Sequence, residues 1–149
     1  MLITHSESST GVLHDVRGIA GVTRGTGAIC IVDAVSSLGI ADLAMDAWGV
    51  DVVVAGSQKG LMLPPGLSFC ALSDKAWGHV KASRLPKFYF NITEEAKAVA
   101  GGEAHFTPAV SIMLGLREVL RMLDAEGLPN VIKRHDRLAR ATRAGVEAL

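Results

Sequence analysis

Three short apolar runs limit what this chain can become: Ala28–Val32, Val50–Ala55 and Leu67–Leu72. Each is continuous rather than alternating. A strand with one face in water alternates polar with apolar residues, whereas a strand covered on both faces has no need to. The runs therefore predict buried strands, and Leu2–Thr4 reads as a fourth. Between the first two runs lie Val12–Arg24, expected to be helical despite Gly18 and Gly21, and Ile40–Ala47, expected to form a short helical turn. Strands alternating with helical crossovers define an α/β sheet.

From Ser73 the pattern turns helical. Ser73-Asp74 offers an N-cap for Lys75–Ser83, and Glu94–Val99 is a second helical stretch. Between them SRLPKFYFNI gathers Phe88, Tyr89 and Phe90, and Gly101-Gly102 follows as a turn. Thr107-Pro108 has the form of a helix start, a capping threonine before proline at the first helical position. Apolar residues from Val110 to Leu123 then mark a helix ending at Glu126-Gly127, and another begins near Pro129. That last pattern reaches Leu149 with no stop signal, and the first residues look like a strand already under way. The expectation is an internal segment of a longer protein.

Fifteen basic residues balance fifteen acidic ones among 149 residues, so charge gives no footing for a nucleic-acid or membrane partner. Hydrophobic residues make up 49%, enough for a core. Cys30 and Cys70 both lie in apolar runs and are expected to be reduced, buried thiols. No 18-residue apolar span or signal peptide is present, and a cytoplasmic protein is expected. The Asn91-Ile92-Thr93 acceptor triplet is read as chance.

Ligands of α/β sheets gather at the carboxyl ends of the strands. The first run ends in Val32-Asp33 and the second in Ala55-Gly56-Ser57-Gln58-Lys59, so a carboxylate and a lysine share one edge, 26 residues apart. Leu2–Thr4 would deliver His5, Ser6, Glu7, Ser8 and Thr10 to the same edge. A buried Asp beside a buried Lys has two readings. One is a structural ion pair. The other is a pyridoxal phosphate site, in which the amine forms a Schiff base with the aldehyde and the carboxylate keeps the pyridine nitrogen protonated. Val35 could pack on a ring face, Ser37, Ser57 and Gln58 supply neutral hydrogen-bonding groups, and Pro64-Pro65-Gly66 gives a rigid return into the next strand.

THSESSTGVL, VDAVSSLG, VDVVVAGSQKGLMLPPGLSF and FTPAVSIMLGLREVL, in this order, resemble the class V aminotransferases, above all the alanine–glyoxylate and serine–glyoxylate group. The resemblance covers nearly the whole chain. It implies part of the large domain of a fold type I pyridoxal 5'-phosphate enzyme, a three-layer α/β/α unit with a mostly parallel sheet. Residues 1–106 would be that partial domain, and residues 107–149 helices leading toward a small domain. Such enzymes are usually homodimers with sites at the subunit boundary. By the same resemblance, Lys59 matches the Schiff-base lysine and general base, and Asp33 the partner of the pyridine nitrogen. Val35 matches the residue beneath the ring, and Ser8 a cofactor-contacting serine. Gln58 matches a phosphate contact, and Thr107 a threonine reaching the neighbouring subunit's phosphate. Relatives often carry a tyrosine just before that threonine, where Ala104, His105 and Phe106 stand here. The amino-terminal phosphate loop and stacking aromatic, and the arginine for the substrate carboxylate, have no counterpart in these residues.

The implied reaction passes an amino group from alanine or serine to glyoxylate, by ping-pong through a pyridoxamine form. Alternatives are a ureidoglycine–glyoxylate transaminase, a cysteine desulfurase, a kynureninase, or an inactive truncated chain with an exposed apolar patch. His5 and Glu7 do not complete a metal set, and no metal is expected. His14, His79, His105 and His135 are expected to be satisfied or solvated. Lys133, Arg134, Arg137, Arg140 and Arg143 read as a solvated helix face, Trp48 and Trp77 as core or edge packing, and Arg84 and Lys87 as candidates for a substrate carboxylate.

Overall fold

The computed structural model describes all residues, 1–149. A four-stranded sheet forms its centre, in the order β1 (Leu2–Thr4), β4 (Ile31–Asp33), β5 (Val52–Gly56), β6 (Ser68–Leu72). β1 runs parallel to β4, with Thr4 opposite Asp33, and β4 parallel to β5, with Asp33 opposite Val54. β6 is antiparallel to β5 and pairs Gly56 with Ser68. A small ribbon of β2 (Ser6–Glu7) and β3 (Val12–Leu13) leaves the carboxyl end of β1.

The connections explain the pairing directions. β1 reaches β4 through α1 (Val16–Thr23), and β4 reaches β5 through α2 (Met45–Trp48), as parallel neighbours require. β5 reaches β6 by a loop alone, which permits only a reversal. The core is small. Val16 and Ala20 of α1 pack with Cys30, Val32, Ala34, Val50 and Val53, and Trp48 covers part of the cluster as expected of it.

After the sheet come α3 (Asp74–Ala82), α4 (Ile92–Ala100), α5 (Val110–Glu126) and α6 (Leu128–Glu147). Ser73 caps α3 by accepting from the Ala76 N–H at 3.1 Å. Asn91, part of the acceptor triplet, instead caps α4 by accepting from Thr93 N–H at 3.2 Å. Gly127 separates α5 from α6 with φ at +81°.

Four expectations give way. Val12–Arg24 is not one helix: Val12–Leu13 belong to the ribbon, and α1 begins only after Asp15, whose carboxylate caps Gly18 N–H at 2.9 Å. The turn expected over Ile40–Ala47 lies further on, as α2. The helix expected at Pro108 starts at Val110, because the Pro108 carbonyl takes the Val110 N–H in a tight turn before any helical bond forms. Thr107 is exposed and caps nothing. Cys30 is fully buried, but Cys70 is exposed, because β6 is the outer strand of the sheet and has no neighbour beyond it.

Large apolar side chains remain open around the sheet. Phe88 is 83% exposed and Phe90 90% exposed, with Tyr89 stacked 4.4 Å from Phe106.

Candidate active site

The carboxyl edge of the sheet is assembled by main-chain bonds. The His5 N–H donates to Asp33 O at 2.8 Å, extending the β1–β4 pairing by one residue, and Ala34 N–H donates to Val54 O at 2.8 Å. The chain then turns on both sides, and the Ser8 and Ser36 hydroxyls meet at 2.9 Å. The ribbon carrying Ser8 is therefore tied to the segment after β4 at two points. Asp33 Oδ1 accepts the Val35 N–H at 2.9 Å, which fixes the carboxylate on its own turn and leaves Oδ2 free. Val35 is half-buried beside it.

The Lys59 loop docks onto that segment at Gly60. A Cβ on Gly60 would collide with the Leu38 carbonyl oxygen and press on Ile40. Only glycine lets the two backbones approach so closely. Leu61 fills the space behind and is buried. Lys59 itself is exposed, and its amine has no carboxylate within ion-pair range. Gln58 is exposed too, with its amide folded back over Gly56. α5 closes the far side of the loop, with Ile112 seated where a Gly66 side chain would be.

Asp33 and Lys59 thus share an edge, as the sequence predicts, but they are neither buried nor paired. The structural ion pair exists elsewhere. At the amino edge of the same sheet Asp51, 5% exposed, accepts from Cys30 N–H at 2.8 Å and the Ser73 hydroxyl at 3.0 Å, and pairs with Lys75 at 3.3 Å. Lys75 Nζ also donates to Ala28 O. Burial works against ionising Asp51, yet these hydrogen bonds outweigh it and hold the carboxyl below its ordinary value. Sequence reasoning missed this cluster. Its signal was an Asp interrupting the apolar run Val50–Ala55, a polar residue that a buried strand tolerates only with partners.

His5 is 3% exposed, and its Nδ1 has no hydrogen-bond partner in the chain; the same holds for the buried Ser37 hydroxyl. Burial pushes the imidazole below 6.5, with His14 adding to the effect and Asp42 opposing it. Thr107 lies on the approach to α5 with its hydroxyl unbonded, three residues before the helix. Lys87 is exposed and donates to the Ser83 and Leu85 carbonyls. Arg134 pairs with Glu126 and Arg140 with Asp136, consistent with a solvated helix face. No group of three His, Cys, Asp or Glu side chains is placed to hold a metal. No helix is long and apolar enough to cross a membrane. Partial desolvation of Cys70 and burial of Cys30 raise the pKa of both thiols, so neither is activated as a nucleophile.

The carboxyl edge of the sheet thus presents an exposed carboxylate and an exposed amine on loops that meet at Gly60 and Leu38. The class V aminotransferase family profile matches residues 1–149, and the chain belongs to that family. It is 47% identical over its whole length to "Soluble hydrogenase, small subunit" of Synechococcus sp., covering 39% of that protein. Identity is 44% to L-aspartate–glyoxylate aminotransferase of Paracoccus denitrificans and 43% to serine–glyoxylate aminotransferase of Hyphomicrobium methylovorum; each match takes in 99% of the chain and 38% of the relative. Among solved structures, pyridoxamine–pyruvate aminotransferase of Mesorhizobium loti superposes with a TM-score of 0.92 at 34% identity, over 99% of this chain and 38% of that one. The chain thus spans about two fifths of the length of the curated relatives it matches.

Proposed function

We propose that this chain supplies the lysine half of a pyridoxal 5'-phosphate site, in an enzyme moving an amino group from alanine or serine to glyoxylate. The observation that carries this is the unpaired Asp33 and Lys59 on loops locked together at Gly60 and Leu38. Asp51 and Lys75, at the opposite edge of the sheet, are paired instead. The residues fit the cofactor. Asp33 has one carboxylate oxygen free to accept from a protonated ring nitrogen. Lys59 offers an amine with no competing acid. Val35 gives an apolar surface, and the unpartnered His5 and Ser37 atoms lie in the two segments that flank Asp33. Ser8 and Gln58 are exposed at the same edge, and Thr107 would serve a neighbouring subunit's site in a homodimer.

Bound pyridoxal phosphate supplies an aldehyde for the amino group and a ring that accepts the electron pair left when Cα loses its proton. The chain's own part is narrower. Asp33 would face the ring nitrogen with its free Oδ2 as acceptor. Lys59 would be the group placed to move the proton between the substrate Cα and the cofactor. Residues 1–106 carry this work, and 107–149 lead toward a second domain.

The test is to add pyridoxal phosphate to the purified chain, follow its visible absorbance, reduce with borohydride and map the modified lysine. Modification confined to Lys59, and lost in Lys59→Ala, supports the reading. Scattered modification sinks it. Half-reactions of the longer protein with serine, alanine and aspartate would then fix the donor, and an aspartate preference would overturn the alanine or serine assignment.

A further inference from the structure

We propose that Ser57 is the positioning residue for Lys59, its hydroxyl fixing the loop from which the amine projects. The inference rests on the reading of Lys59 given above. Nothing holds the lysine side chain directly, since Nζ makes no hydrogen bond and no ion pair. What can be fixed is its backbone.

Ser57 is fully buried, and every polar group it has closes the loop. Its N–H donates to Leu67 O at 3.1 Å, and its carbonyl accepts from Leu63 N–H at 3.1 Å. Its hydroxyl donates to Pro64 O at 2.7 Å and accepts from Leu67 N–H at 3.3 Å. The hydroxyl is needed because of what lies opposite. Leu67 stands opposite Ser57, but the Ser57 carbonyl is already taken by Leu63 N–H, so the Leu67 N–H has no main-chain acceptor there and bonds the hydroxyl instead. A side chain that both donates and accepts completes the ladder. With both functions engaged, Ser57 has nothing left for a phosphate or a substrate.

The loop also stores strain that this clamp restrains. Met62 has φ at +57°, a left-handed conformation that costs a non-glycine residue free energy. Its N–H donates to Lys59 O at 2.8 Å, so the strained residue closes the turn that begins at the lysine. Released from Leu63 and Leu67, Met62 would relax toward an extended backbone and carry Lys59 with it.

Two readouts on the full chain test this, one independent of cofactor. In Ser57→Ala, hydrogen exchange at the Leu63 and Leu67 amides should rise about tenfold or more, with Asp51 and Val52 unchanged. Borohydride trapping of pyridoxal phosphate at Lys59 should slow by a similar factor and spread to other lysines. Ser73→Ala, which weakens the opposite edge of the sheet, should alter neither. Ser57→Cys keeps a weak donor, should fall between, and serves if the alanine variant fails to fold. The proposal is overturned if Ser57→Ala keeps wild-type protection at Leu63 and Leu67, or if Ser73→Ala loosens them equally. It is also overturned if the amides loosen while trapping stays fast and confined to Lys59. Unselective trapping in the wild type overturns the reading of Lys59 instead, and the exchange result still decides whether Ser57 clamps the loop.

Discussion

The two edges of one sheet treat the same pair of residue types in opposite ways. At the amino edge Asp51 and Lys75 are joined, and the acid is buried with its oxygens filled by Cys30, Ser73 and Lys75. At the carboxyl edge Asp33 and Lys59 stand in water with no ion pair. A burial penalty has to be met by partners, so removing any one member of the cluster leaves a buried partner short of a bond. The open pair contributes little, and it is therefore free to take a ligand.

Substitutions should separate the two. Asp51→Ala leaves the Cys30 N–H, the Ser73 hydroxyl and the Lys75 amine short of an acceptor, and should cost about 3 kcal/mol in denaturant unfolding. Gly60→Ala drives a methyl into the Leu38 carbonyl and should cost about 2 kcal/mol; it should also slow cofactor trapping, which Asp51→Ala, where still folded, should leave intact. Ser73→Ala removes the α3 cap and one Asp51 partner, for about 1 kcal/mol. The smallest change in unfolding should come from Lys59→Ala, within about 0.5 kcal/mol of wild type, although trapping disappears. A large stability loss at Lys59 would erase the contrast.

Acid should strike both edges, at different pH. Folded His5 resists the proton that the unfolded chain takes up near its ordinary value of 6.5. Stability therefore falls as pH drops below that value, by at most about 1.4 kcal/mol per pH unit. His5→Leu should flatten the curve there. Asp51 acts lower, since its folded carboxyl stays ionised below 3.8 while the unfolded one protonates, so its contribution fades as pH falls through that range. Urea unfolding from pH 7 down to about pH 3 resolves the two windows.

Much of this was legible in the sequence, and the gaps have physical causes. The apolar runs placed three strands within a few residues, but the two-sided burial read from them fails at β6, which has no buried residue, while β4 and β5 do. The sharing of an edge by Asp33 and Lys59 followed from strand direction alone. Their exposure did not, since it depends on what the loops dock against. The Asp51 cluster stayed hidden because its partners come from Cys30, Ser73 and Lys75, remote in sequence. Thr107-Pro108 matched a local start signal, but the Pro108 carbonyl closed a tight turn first and moved the helix to Val110. Ser57 looked like one more neutral side chain until the bonds to Pro64 O and Leu67 N–H showed why a hydroxyl stands there.

The antiparallel β6 also has a consequence for the order of assembly. Gly56 meets Ser68 across 12 residues of chain, whereas Leu2 meets Ile31 across 29. Short loops close sooner than long ones. The hairpin that carries Lys59 should form before the parallel pairing that brings Thr4 and His5 to Asp33. Pulsed hydrogen exchange during refolding would show Leu67 and Cys70 protected ahead of His5. The refolding chain would then hold a finished lysine loop before β1 is in place.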